Sequence, residues 1–302
     1  DRLFYYVAGS WVDRSARFLN HGAREGRYAP MLEELLERKA FGKLTWTPGP
    51  GDQIEASGAW LGTRVENHGM SGYEAPGAAS RFRAPTWFGN LAWRRSWGEG
   101  AVVEAQVNHF HRDERADPYG GAGVPGVRLF SLIPPHNTFE NAAFTQRSAP
   151  SSTSATVTST FRFQTGAREH LLKIGGEYSR GRFLDRRIRS GGMTWMPMDH
   201  QAFEAGDPST WGHPQDGFIP TEWGGEVHLD AEVMNAAAFA QGAVSLGRLV
   251  LTPGVRWGAW AGWLEPGNGA HFRAVRDRAF DPRLGATLDL SADGSWILKG
   301  HW

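Results

Sequence analysis

Apolar and polar residues alternate along several stretches of this chain, most clearly over residues 153–164. The odd-numbered positions of this stretch are mostly apolar: Ala155, Val157, Ser159, Phe161 and Phe163. The even-numbered positions are polar: Thr156, Thr158, Thr160, Arg162 and Gln164. Because successive side chains of a β-strand point to opposite faces, the pattern predicts a strand with one apolar and one polar neighbourhood.

The same alternation recurs from one end of the chain to the other. It predicts further strands near residues 3–11, 40–47, 54–60, 87–94, 103–108, 172–179, 234–245, 249–263, 282–290 and 296–302. Together with residues 153–164, these stretches predict an all-β antiparallel meander of about eleven strands.

Short and long connections alternate between the predicted strands. The short ones contain turn-forming Gly, Pro and Asp, and lie near residues 48–52, 97–100, 166–168, 246–248 and 291–295. The long ones cover roughly residues 13–38, 66–85, 112–152, 180–230 and 265–281. This order is typical of outer-membrane β-barrels, which have short turns at one end and long loops at the other.

The length of the predicted strands separates a membrane barrel from a soluble sandwich. They run about ten to fourteen residues, whereas strands of soluble domains average about five or six. A tilted strand needs about 9–11 residues to cross a membrane. We therefore expect apolar strand faces toward lipid and polar faces toward the barrel lumen. The residues expected to face the lumen include Glu104, Arg162, Lys173 and Glu177.

One long connection has a helical pattern, at residues 30–39. Pro30 suits the first turn of a helix, and Met31, Leu32, Leu35 and Leu36 would share one side. The spacing predicts a short loop helix that packs on its neighbours.

The amino-acid composition excludes several other classes of protein and of binding site. The 302 residues include 32 Lys+Arg and 32 Asp+Glu, spread evenly, so no nucleic-acid partner is indicated. The counts of 39 Gly and 14 Trp suit many turns and amphipathic anchors at a membrane–water interface. The absence of Cys excludes disulfides and thiolate metal sites. No apolar run is long enough for a transmembrane helix.

Four blocks on predicted strands combine turn and strand residues in a distinctive way. They read DRLFYYV at 1–7, HLLKIGGEY at 170–178, AFAQ at 238–241 continuing to GRLVLTPGVRW at 247–257, and FDPRLGA at 280–286 followed by LKG at 298–300. In this order they resemble strands of the TonB-dependent outer-membrane transporters. The resemblance is closest to the subclass with a carboxypeptidase-regulatory-like N-terminal domain. Two positions depart from the family pattern, since Gly242 replaces its usual Asp and Thr252 its frequent Asn.

This resemblance implies a barrel of about 22 strands, filled by a plug and coupled to TonB through an N-terminal segment. Neither plug nor TonB-binding segment is recognisable, and the chain begins without Met and ends inside a strand pattern. We therefore expect residues 1–302 to be part of one barrel domain, about half of a larger wall. The implied partners are outer-membrane lipid and, through the missing segment, the TonB complex. The implied location is the bacterial cell outer membrane.

Candidate metal ligands occur at one strand end. His109 and His111 flank Phe110 and precede Asp113 and Glu114. Residues i and i+2 share a strand face, so the two imidazoles can share a metal ion, although a polar interfacial rim is the simpler explanation.

Candidate ligand-binding aromatics lie in the longest predicted loop. They are Trp195, Trp211 and Trp223, which can stack on a flat solute or simply pack the loop on itself. No spacing brings a nucleophile, base and orienting acid together, and Gly120–Gly123 lacks the strand-to-helix context of a phosphate loop. The sequence therefore predicts no enzyme and no cofactor.

Three functions fit these observations. The first is a receptor for energy-coupled uptake of a scarce solute, whose identity the sequence leaves open. The second is a passive outer-membrane porin, which has no plug. The third is a soluble all-β carbohydrate-binding domain, in which the apolar faces would form a packed core.

Overall fold

The computed structural model describes residues 2–18, 31–69, 76–129, 137–139, 141–166, 168–197, 218–223, 226–267, 269–291 and 293–302. Most of these residues are in strands. In chain order the strands are β1 (Arg2–Phe18), β2 (Met31–Gly49), β3 (Asp52–His68), β4 (Ser80–Arg83), β5 (Thr86–Trp97), β6 (Ala101–Arg112), β7 (Glu114–Pro118), β8 (Gly126–Leu129), β9 (Asn137–Phe139), β10 (Phe144–Thr165), β11 (Arg168–Arg189), β12 (Met193–Pro197), β13 (Phe218–Trp223), β14 (Val227–Leu246), β15 (Leu249–Glu265), β16 (Phe272–Asp289) and β17 (Ile297–His301). Within these ranges no helix has the length and apolar character needed to span a membrane.

Thirteen strands form one antiparallel sheet, and they amount to eleven when two interrupted strands are each counted once. The strands β4 and β5 both pair with β3, and β6 and β7 both pair with β10. The ladder continues through the interruptions. Ala84 N–H donates to Thr63 O at 2.9 Å, and Asp113 N–H donates to Pro85 O at 3.1 Å. The prediction of an antiparallel meander of about eleven strands is confirmed.

The sheet is open. Among the described residues, β1 pairs only with β2, and β17 pairs only with β16. The other four strands form a separate sheet in the order β13-β12-β8-β9, built from two of the long connections.

The strand registers place most large apolar side chains on one face of the thirteen-stranded sheet, here called the outer face. Directly paired residues share a face, so the row Leu44, Ala56, Leu91, Val107, Ala155, Tyr178 and Ala236 runs across seven strands. The side chains of this face are solvent-accessible instead of buried in a core, as Leu91 (54% exposed) and Val107 (47% exposed) show. A soluble sandwich would bury them, so this face needs an apolar surrounding.

Five tight turns join strands at one end of the sheet, as the sequence predicts. Each has a glycine in the left-handed region: Gly51, Gly98, Gly166, Gly247 and Gly294. Gly247 is the first residue of a two-residue hairpin loop between Leu246 and Leu249, where a side chain at positive φ would be strained. In the last turn, hydrogen bonds from Ser291 and Ser295 hold the pKa of the Asp293 carboxyl well below its usual range.

The strands are longer than the sequence pattern indicates, because β1, β2, β3, β10, β11, β14, β15 and β16 have 17 to 22 residues. The extra length lies on the side of the long connections. On β11 the outer face is apolar from Leu172 to Tyr178 and then carries Arg180, Arg182 and Arg186, with Leu184 between the last two. The apolar stretch lies within the about 9–11 residues that a strand needs to cross a membrane, and the charged part of the strand extends beyond it.

Two expectations about the connections are wrong. Residues 31–39 of the predicted loop helix belong to β2, where they pair with β1 on one side and residues 34–39 also pair with β3 on the other. Cross-strand hydrogen bonds on both sides outweigh a weak helical pattern. The predicted long connection at 265–281 is also wrong, because β16 already begins at Phe272.

Replacement of Ile174 by Arg should lower the free energy of unfolding by about 2–4 kcal/mol, because it places a charge in the middle of the apolar outer face. Urea titration of the full-length protein in lipid vesicles measures this. The matched control is Lys173→Arg, one residue away on the opposite face, for which we expect a change within about 0.5 kcal/mol. Equal effects at the two positions would contradict the assignment of faces.

Candidate functional site

The face opposite the outer face, here called the inner face, is polar over its central strands. A hydrogen-bond network joins β5, β6 and β10. Asn90 Nδ2 donates to Asn108 Oδ1 at 2.7 Å, Gln106 Nε2 donates to the same oxygen at 3.0 Å, and Asn108 Nδ2 donates to Ser154 Oγ at 3.4 Å. Shared amide groups of this kind hold side chains in fixed positions along a surface open to water.

Cross-strand ion pairs flank this network. Lys43 Nζ lies 2.8 Å from Glu55 Oε2, and Arg94 Nε lies 3.7 Å from Glu104 Oε1. Farther along the sheet, Arg256 pairs with Glu177. The Arg94–Glu104 side chains are more than half exposed, so that pair contributes little to stability. The inner face therefore presents balanced charges of both signs to whatever fills the space beside it.

Two adjoining hollows of about 400 Å³ and 630 Å³ lie on this face, and Arg94 and Glu104 line both. The larger one also contains Thr160 and Arg162. A third hollow of about 600 Å³, lined by Arg256, Arg283 and His301 among others, lies near β17. All three are open toward the inner side and have groups that can hydrogen-bond a polar solute.

The sequence-predicted lumenal residues share this face. Glu104 and Arg162 line the same hollow, Lys173 lies opposite Thr160 on the next strand, and Glu177 pairs with Arg256. Their exposure to a lumen remains a prediction. The structure brings Glu104 and Arg162 together in one hollow, whereas Glu177 belongs to a separate ion pair.

Part of the inner face is apolar, which the sequence pattern did not indicate. A hollow of about 380 Å³ near β1 to β5 is lined by Ala8, Phe41, Ala59, Leu61 and Phe88 with their neighbours. Beside it, the ring centroids of Tyr6 and Phe41 lie 6.0 Å apart. In β1, aromatic residues stand at both odd- and even-numbered positions, so they lie on both faces of the strand. The alternation pattern alone therefore could not identify one face of β1 as polar.

Two long connections fold together beyond the strands that carry the hollows. The strand β8 comes from the connection after β7, and β12 and β13 come from the connection after β11. The strands β12 and β8 pair in parallel through Thr194 with Gly126 and Trp195 with Val127. Trp223 lies opposite Met193 in the β12–β13 pair. Of the aromatic ligand candidates, Trp195 and Trp223 thus belong to one small sheet, and Trp211 lies outside the described residues.

Asn141 anchors this loop structure, and sequence reasoning missed it. Its side chain is fully buried. Its Nδ2 donates to Gly121 O at 2.8 Å and Val124 O at 2.6 Å, while its Oδ1 accepts from Gly120 N–H at 3.0 Å. A Cβ at Gly126 would lie 2.8 Å from the Asn141 carbonyl oxygen, so the glycine permits close backbone approach. The glycine-rich run 120–126 was the available signal.

The second loop is tied to the first by its own contacts. Gly191 N–H donates to Ala122 O at 2.7 Å, and Ser190 N–H donates to Ala143 O at 3.1 Å. Within the second loop, Arg189 Nη1 donates to Thr194 Oγ1 at 2.7 Å. The Arg189 guanidinium also lies 4.6 Å from the ring centroid of Phe144. These contacts position the start of β12 against β8.

The two histidines proposed as metal ligands lie on the outer face. His109 Nδ1 is 2.9 Å from Thr153 Oγ1, and His111 lies opposite Trp87. Across the described ranges, no group of three or more His, Asp or Glu side chains is placed to hold a metal ion. Metal binding by the pair remains a prediction.

No protein-family model and no curated protein matches the chain. Solved structures do. The outer membrane transporter YddB from Escherichia coli is 13% identical with a TM-score of 0.62 over 99% of this chain and 35% of that one. A structure of FpvA from Pseudomonas aeruginosa bound to pyoverdines is 16% identical, with a TM-score of 0.60 over 96% of this chain and 36% of that one. The siderophore receptor PiuA from Acinetobacter baumannii is 12% identical, with a TM-score of 0.55 over 95% of this chain and 44% of that one.

This chain therefore has the fold of part of the antiparallel β-barrel wall of these structures. It spans between 35% and 44% of the length of these three structures. In a barrel wall of this kind, the outer face is the one toward lipid and the inner face the one toward the lumen.

Replacement of Asn141 by Ala should open the loop structure. The change removes three hydrogen bonds, to Gly120 N–H and to the Gly121 and Val124 carbonyl groups, and a hydrogen bond of this kind typically contributes about 0.5–1.5 kcal/mol. Hydrogen exchange in the full-length protein should then rise in peptides covering residues 119–126 and 190–195.

The matched control is Asn235→Ala in β14. Asn235 Oδ1 is buried without a hydrogen-bond partner among the described residues, so its removal should leave loop exchange unchanged. Slow exchange retained in the Asn141 variant would show that the amide does not hold the loops.

Proposed function

We propose that this chain forms part of the wall of a bacterial outer-membrane receptor that takes up a scarce solute by energy-coupled transport. The observation that carries the proposal is the two-sided sheet. Its outer face is apolar over the length that crosses a membrane, while its inner face has polar hollows and balanced ion pairs.

The arrangement of the connections supports a receptor. Tight turns close one end of the sheet, while two long connections at the other end fold into a sheet of their own. Such a folded loop structure can hold a solute before it enters the lumen, because binding residues often lie on loops that a rigid scaffold positions. The aromatic residues Trp195, Trp211 and Trp223 are proposed as part of this capture surface.

The energy coupling is proposed from the sequence blocks that resemble TonB-dependent transporters. In that scheme a plug fills the lumen and rearranges when TonB acts on a segment outside this chain. The polar inner face and its apolar hollow near Phe41 and Phe88 are then surfaces against which a plug can pack. Membership of the subclass with a carboxypeptidase-regulatory-like N-terminal domain is part of the same proposal.

The solute class to test first is a ferric siderophore, because PiuA is a siderophore receptor and FpvA binds pyoverdines. The proposed role is transport and not catalysis. No cofactor and no nucleic acid takes part in it.

Deletion of the gene should abolish uptake of one solute from a panel of labelled ferric siderophores and other scarce nutrients. Disruption of TonB in the unmodified strain should abolish the same uptake, because the transport is energy-coupled. Time-dependent accumulation of the labelled solute in filtered cells, above the amount bound at the cell surface at time zero, measures both effects.

The control is the deletion strain with the full-length gene restored, which should recover uptake. A steady open conductance of the purified protein in planar bilayers, together with uptake that persists without TonB, would favour a passive porin. Recovery of the full-length protein in buffer without detergent would favour a soluble domain.

A further inference from the structure

A row of arginines crosses the outer face beyond the apolar region. The strand registers place five of them directly opposite one another on successive strands: Arg64, Arg83, Arg115, Arg147 and Arg186. This set is called the arginine row. Like charges in direct cross-strand pairs repel one another, so a run of five needs compensating negative charge.

The protein supplies part of that charge. Arg64 Nε donates to Glu66 Oε1 at 2.8 Å, and Arg83 Nη2 to Asp117 Oδ2 at 3.4 Å. Arg186 pairs with Glu226, and a hydrogen bond from Arg186 lowers the pKa of the Glu226 carboxyl.

Compensation is weakest in the middle of the row. Asp113 is shared by two arginines, since Arg115 Nη2 lies 2.8 Å and Arg147 Nε lies 3.0 Å from its oxygens. At the β2 end Glu66 is also shared, by Arg64 and Arg81, but there Glu34 lies opposite it and adds a second negative charge. The excess positive charge is therefore centred on Arg115 and Arg147.

The guanidinium groups are the more exposed partners of these pairs. The arginine side chains are 45–61% exposed, whereas the carboxylates that they contact are 18–43% exposed. Each guanidinium has five N–H donors, so donors remain free on the side away from the carboxylate. An approaching molecule meets positive donors first.

The row stands just beyond the aromatic edge of the apolar region. The ring centroids of Trp60 and Trp87 lie 6.1 Å apart on the outer face. Arg64 comes four residues after Trp60, and Arg83 four residues before Trp87, so both arginines lie about 13 Å along their strands on the same side of the tryptophan pair. Headgroups of a lipid whose acyl chains cover Trp60 and Trp87 would lie at this level.

We propose that the arginine row binds the phosphate groups of an anionic glycolipid in the outer leaflet, an inference that rests on the membrane placement proposed above. Guanidinium groups match phosphate oxygens in a bidentate manner. Neighbouring strands are about 4.8 Å apart, so two adjacent arginines can reach one phosphate group. The site centres on Arg83, Arg115 and Arg147.

The test replaces Arg83, Arg115 and Arg147 by Gln together in the full-length protein in detergent. Native mass spectrometry with bis-phosphorylated lipid A as the probe should show binding weakened by roughly a hundredfold, because the contributions of basic groups near an anionic lipid multiply. The matched control replaces Arg95, Arg168 and Arg248, which lie at the tight-turn end of the sheet, by Gln. This variant should bind lipid A as tightly as the unmodified protein does.

Further measurements keep the test decisive. If the Gln variant fails to fold, lysine at the same three positions preserves charge but loses the bidentate fork, and should bind roughly tenfold more weakly. Dephosphorylated lipid A should bind poorly to the unmodified protein. Equal binding of the Gln or Lys variant and the unmodified protein would overturn the proposal, as would displacement of lipid A by millimolar inorganic phosphate.

The lipid measurement needs neither solute nor TonB. A failed uptake experiment would therefore count against the transport role and leave the lipid result standing. Unchanged lipid binding in the Gln variant, with uptake intact, would count against the lipid site alone.

Discussion

Backbone pairing between neighbouring strands is the interaction on which the rest of this structure depends. A lipid surrounding offers no hydrogen-bond partners, so each spanning strand must satisfy its N–H and C=O groups through its neighbours. Pairing also fixes which side chains face outward, because a slip by one residue would turn every apolar side chain to the inner face. The ladder keeps its register across the interruptions at Pro85 and Asp113, which keeps the outer face continuous from β3 to β10.

The sequence predicts the parts of the fold that this pairing imposes locally. Alternation over residues 153–164 and 172–179 marks spanning strands, and glycines such as Gly98 and Gly247 mark tight turns because few other residues accept positive φ. Strand ends are less predictable. Arginines enter the outer face of β11 after Tyr178, so the alternation signal ends there although pairing with β10 continues to Arg189.

The candidate site was harder to predict because its contacts are long-range. No local pattern identifies Asn141 as a buried residue, since its partners Gly120, Gly121 and Val124 precede it by seventeen to twenty-one residues. The helix expected at 30–39 fails for a related reason, because pairing partners on β1 and β3 decide its structure. The mixed inner face, polar at Glu104 and apolar at Phe88, likewise depends on which strands become neighbours.

The parallel pairing of β8 with β12 joins two loops that are far apart in the chain. Any antibody or bacteriophage that docks on this surface would meet a composite epitope made from both. Natural variation in the two loops should then be correlated, because a side chain at Gly191 would collide with Pro125 of the other loop. A substitution in one loop that prevents recognition by such an antibody or bacteriophage would therefore require a compensating substitution in the other loop.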